Sequence, residues 1–141
     1  MHRRRSPLAP WLIAALLSLT AAPALADSSH WQAQADSVNK AVMAAEAAFG
    51  KGDLEGAKRA VTEAYFHNFE DSKLESAIRK HVSAKRAAEI ERYFASMRKA
   101  MTANDATQVA SISKTLREAI SAEAKGLDAA NVAPGVFEVN Q

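Results

Sequence analysis

Residues 31–49 read WQAQADSVNKAVMAAEAAF, and this stretch decides the fold. Trp31, Ala35, Val38, Val42, Ala45 and Phe49 recur at steps of four and three residues. That spacing draws one apolar stripe along a helix. Gly50-Lys51-Gly52-Asp53 ends it, and Asp53 stands where it can cap a second helix. The same rhythm returns downstream. Leu54, Ala57, Val61, Tyr65 and Phe69 share one side of the second helix. Ser72-Lys73-Leu74-Glu75 has the form of a capping box and opens a short helix through Ile78. Ser83 caps the next helix, whose stripe is Ala87, Ile90, Phe94, Met97 and Met101. Asn104-Asp105 makes a turn and a cap, and Val109, Ile112, Leu116, Ile120 and Leu127 mark a last helix that stops near Gly126.

Four long helices and one short one, joined by short loops, predict an all-α antiparallel bundle over residues 27–130. No proline falls between residues 27 and 133, and Ala, Lys, Glu and Arg are plentiful, which favours helix. The expected core is small. Trp31, Phe49, Tyr65, Phe69, Phe94, Met97 and Met101 supply its bulk, and Phe137 closes one end. Met43, Met97 and Met101 read as gap-filling core residues at seam spacing. Residues 131–141, with Pro134 and Gly135, read as an extended tail.

Working outward to the start, residues 1–26 carry the parts of a secretory signal peptide. Arg3, Arg4 and Arg5 form a positive region, Trp11 to Ala22 a short apolar run, and Ala24-Leu25-Ala26 a cleavage site. The run is shorter than the roughly 20 apolar residues a spanning helix needs. Cleavage after Ala26 and a periplasmic location in a bacterium are therefore expected, with no stable membrane insertion of the mature chain. The whole chain has 141 residues, a formal charge of +2 and no cysteine. Without the three leader arginines, 15 basic residues face 16 acidic ones, a formal charge of −1. Binding to nucleic acid through net charge is not expected. The missing cysteine excludes a disulfide framework, a thiolate zinc site and a cysteine nucleophile.

Chemistry can sit on the far side of the second helix. At 100° per residue, Glu63, His67 and Glu70 fall together opposite the apolar stripe. A carboxylate, an imidazole and a carboxylate one turn apart can hold one cation, and such oxygen and nitrogen donors suit iron, zinc or manganese. The same pattern also describes a solvated face with weak pairing. Glu75 just beyond has a capping role open to it through Ser72. Glu91 and Arg98 lie seven residues apart on the same side of the Phe94 seam. Glu123 lies within the last stripe, where it needs a partner such as Arg98, or water. No His-x₃-His pair, phosphate loop or nucleophile–base pair is visible, so neither an enzyme nor haem binding is expected.

One stretch has a familiar form. Glu63-Ala64-Tyr65-Phe66-His67-Asn68-Phe69-Glu70, with Leu74-Glu75 and Ile78-Arg79, resembles the helical extracytoplasmic domain of bacterial high-affinity iron permeases of the Ftr type. Gly52-Asp53 with Ala57 to Val61, and Glu89 to Phe94 with Met97 to Met101, extend the likeness over roughly residues 31–130. The resemblance implies a periplasmic role in iron uptake beside a membrane permease and its periplasmic partners. It places the family's acidic positions on Glu63, Glu70, Glu75 and Glu91, with His67 a further candidate ligand. The membrane helices of such permeases, with their Arg-Glu-x-x-Glu motifs, have no counterpart here. A stand-alone soluble version of the domain is the expectation. The competing one is a periplasmic helical adaptor that binds no metal.

Overall fold

The structure, a computed structural model, describes residues 29–137, with the side chains of residues 136 and 137 excepted. The expected leader, residues 1–26, and the side chain of Phe137 thus lie outside the described residues. The described chain is helical and holds no strand. Helix α1 spans His30–Gly50, α2 spans Leu54–Glu63 and continues as a π-helical segment over Ala64–Glu70, α3 spans Leu74–His81, α4 spans Ala84–Thr102 and α5 spans Ala106–Ala129. Among these residues no helix is long and apolar enough to cross a membrane.

The local signals act as their chemistry dictates. Asp53 accepts a hydrogen bond from Gly56 N at 2.9 Å, Ser83 from Arg86 N at 3.0 Å and Asp105 from Gln108 N at 2.9 Å. Each satisfies an amide that the first helical turn leaves without a partner. A Cβ at position 56 would meet the Asp53 carboxylate in its present rotamer, so a larger residue there requires that side chain to shift, as at the other two caps, where Arg86 and Gln108 hold this position. Gly52, at φ 83°, terminates α1 in the left-handed region, and the Asp53 amide bonds back to Ala48 O at 3.1 Å. Asn104 and Asn131 close α4 and α5 in the same way, with φ of 54° and 53°. α5 runs past Gly126, a helical residue on its exposed side, and stops only at Ala129.

Helix α1 packs along α5 and α2, and α4 packs along α5, α3 and α2. The stripes meet in one core. Trp31, Val38, Val42, Ile90, Met97, Met101, Leu116 and Ile120 are fully buried, and Phe49, Tyr65 and Ile112 lie partly buried against them. Each such large side chain contributes roughly 1.5–3 kcal/mol when fully withdrawn from water. Met43 departs from the expectation: it is 54 % exposed and fills no core gap. At one end of the core Tyr65, Phe69 and Phe94 form an aromatic cluster. The Phe94 ring centroid is 5.5 Å from each of the other two.

Three further expectations change. The predicted capping box does not form. Ser72 Oγ donates to Phe69 O at 3.2 Å and accepts from Leu74 N at 3.3 Å, while Glu75 turns to Arg79. Lys73 is the residue that precedes α3, in left-handed backbone at φ 67°. Glu123 is partnered by Arg86, not Arg98. The expected extended tail begins with a 3₁₀ turn over Pro134–Phe137, which proline's fixed φ favours at its first position.

Candidate functional site

The π-helical segment positions the candidate site. The Asp71 amide reaches back five residues to Phe66 O at 2.9 Å, one more than in an α-helix. The buried side chains step from Val61 to Ala64 and then five on to Phe69. The wider turn shifts every later side chain around the axis. A wheel built at 100° per residue therefore misplaces Glu70 relative to Glu63.

Two of the five candidate ligands stand in water without converging on the others. Glu63 and His67 are exposed, and His67 Nδ1 lies 3.3 Å from Asp71 Oδ2 one turn along. The other three gather around Tyr65. Burial, with the charges of Glu75, Glu91 and Glu70, pushes the Tyr65 phenol up to about 12. Glu75 comes from α3 and Glu91 from α4, yet both accept from the same nitrogen. Arg79 Nη2 lies 2.5 Å from Glu75 Oε1 and 2.6 Å from Glu91 Oε1. Burial and the neighbouring Glu75 carboxylate raise the Glu91 pKa above the ordinary carboxylate range, against the pull of Arg79. Arg79 is held more firmly in its charged form by the same pair.

Two carboxylates thus share one guanidinium, and with Glu70 three surround one phenol. Their hard oxygens match the donor preference of iron, manganese or magnesium. With Arg79 in place the carboxylates do not open toward a common point. Among the described residues no three His, Asp or Glu side chains stand ready around a metal position. A cation entering between Glu75 and Glu91 has to displace Arg79.

A second charged network lies on α4 and α5. Arg86 donates to Glu123 at 2.6 Å and Glu89 at 2.9 Å, and Tyr93 Oη donates to Glu89 at 3.0 Å. One guanidinium bridges carboxylates of α4 and α5, so it reads as a clamp between helices. The spacing argument missed Arg79 altogether. Its signal was present at i+4 from Glu75, the ordinary helix pairing distance.

No protein-family model matches the chain, and no curated protein and no solved structure is significantly similar to it.

Proposed function

We propose that this chain is a secreted periplasmic module of an iron-uptake system. Its leader is removed after Ala26, and its helices form an antiparallel bundle. It binds iron or another hard cation transiently and works beside a membrane permease. The cation is cargo, taken by Glu75 and Glu91 with Glu70 and the Tyr65 phenol at the rim. The observation that carries this reading is the pair of carboxylates from two helices on one Arg79 nitrogen. Like charges held this close raise the affinity for any cation that enters. Arg79 competes for the same oxygens, which favours weak, reversible binding, as delivery requires. Glu63 and His67 take no part in this site.

The test is anaerobic calorimetric titration of the metal-free secreted chain with ferrous iron, with manganese as comparison. Saturable binding is expected, lost in the Glu75→Gln/Glu91→Gln double variant and kept in Glu63→Gln/His67→Ala. Absence of saturable heat with either metal, or binding that survives the Glu75/Glu91 change, overturns the site. One observation favours the second reading, a periplasmic interaction module without metal: Arg79 already occupies the two carboxylates that would be ligands. That reading gains if no metal binds.

A further inference from the structure

An open cleft of about 290 Å³ lies between α2 with its π-helical continuation and α4. Val61, Phe66, Phe94 and Ala95 give it apolar walls, with Glu91 at one end and Arg98 at the other. Phe66 is 50 % exposed, the one aromatic ring among the large hydrophobic side chains on the described surface. Beyond Arg98 the groove continues, sharing Thr62 and Arg98, past Arg59 and past Lys58, which is paired to Glu55 at 2.7 Å, so this end keeps an excess of positive charge. The surface therefore runs from acidic through apolar to basic. Arg98 makes no ion pair among the described residues.

We propose that this cleft is the interface of a weak two-fold dimer, the occupant being a second copy of this chain. The argument is one of self-complementarity. In an isologous contact the same patch must serve both sides. Glu91 and Arg98 are seven residues apart on α4, so their midpoint falls between Phe94 and Ala95. Two α4 helices crossing antiparallel about that midpoint bring Glu91 against Arg98 of the second copy, twice. Ala95 lets the helices approach. Phe66, at the rim of its own cleft, enters the cleft of the other copy, so one residue is both knob and wall. Glu91 keeps Arg79 on Oε1 beside the Glu75 carboxylate, so this end holds two carboxylates against one guanidinium and stays acidic toward the incoming one. A parallel arrangement, or a partner of uniform charge, leaves one end of the groove facing like charge.

The contact rests on one short cleft and its rim, the kind of small contact that gives weak association, and a dissociation constant of roughly 10 µM to 1 mM is expected. The dimer and the proposed cation site share Glu91, so the dimer is tested on the metal-free chain, where failure of either reading is seen separately. The test is sedimentation equilibrium of the secreted chain from 20 µM to 1 mM at low and high salt, with circular dichroism to check folding. A monomer–dimer equilibrium that weakens with salt is expected. Phe66→Asp should abolish it. Arg98→Glu and Glu91→Arg should each weaken it about tenfold or more, and the double variant should regain it, because the swapped charges meet again across the axis. Phe66 and Arg98 are exposed, so their variants keep the test meaningful if Glu91→Arg disturbs the fold. A monomer throughout the range, dimerisation indifferent to Phe66→Asp, or a double variant no better than the singles overturns the proposal.

Discussion

Glu91 answers to neighbours of both signs, and the balance has a consequence for pH. Arg79 favours its ionised form, but burial and the Glu75 carboxylate disfavour it more, so its pKa is raised. The native state then takes up this proton at higher pH than the unfolded chain does. The residue's contribution to stability is greatest in acid and is lost as pH rises through the raised value. Glu91→Gln is accordingly expected to match or slightly exceed the wild-type stability at neutral pH. That advantage shrinks as pH falls toward the ordinary carboxylate range. Urea denaturation of both proteins at several pH values between neutral and 4 checks this. A variant clearly less stable at neutral pH would mean that the ion pair with Arg79 outweighs burial. Glu89 shows the opposite case. Arg86 and Tyr93 hydrogen-bond it and lower its pKa, so its contribution is present above the ordinary value and lost in stronger acid.

At the scale of elements, the turn between the π-helical segment and α3 is the strained one. Lys73 holds φ 67°, where a side chain costs roughly 1 kcal/mol or more that glycine avoids. Glycine's greater freedom in the unfolded chain offsets part of this. Lys73→Gly is therefore expected to stabilise by about 0.5–1 kcal/mol, read as a higher denaturant midpoint at unchanged slope. Lys73→Val should lower it, because a β-branched residue resists this backbone. This turn also marks where reading along the chain fails. The caps at Asp53, Ser83 and Asp105 were legible, since each bonds an amide three residues ahead. The stripes were legible because a regular helix repeats its angle. The π-helical segment changes that angle without any residue that announces it. The wheel therefore grouped Glu63 and His67 with Glu70, while Glu70 belongs around Tyr65 with Glu75 and Glu91. Glu70, Glu75 and Glu91 were named by the wheel and the likeness, while Arg79, the partner of Glu75 and Glu91, emerged only once α3 lay against α4.

At the scale of the whole molecule, the two ends of the described chain are tied by one carboxylate that no local pattern reveals. Asp128, in the last turn of α5, accepts from Trp31 N at 3.0 Å and Gln32 N at 2.9 Å across 97 and 96 residues of sequence. It caps α1 from outside, where Ser29 makes no side-chain cap of its own. Trp31 Nε1 then donates to Val132 O at 2.8 Å, just past the end of α5. Trp31 is fully buried and Asp128 nearly so, so losing the carboxylate leaves a buried amide without a partner. Asp128→Ala should cost about 1–2 kcal/mol, the upper part of the range for a lost cap, and lower the melting temperature by about 5–10 °C. Asp128→Asn, which keeps one acceptor oxygen, should lose less. Trp31 is the only tryptophan outside residues 1–26. Its emission reports directly on the tie, and in Asp128→Ala it should shift to the red on heating at lower temperature than in the wild type. Equal transitions in the two proteins would mean that packing of Trp31 alone anchors α1, and that the hydrogen bonds donated to Asp128 only replace those that water would accept.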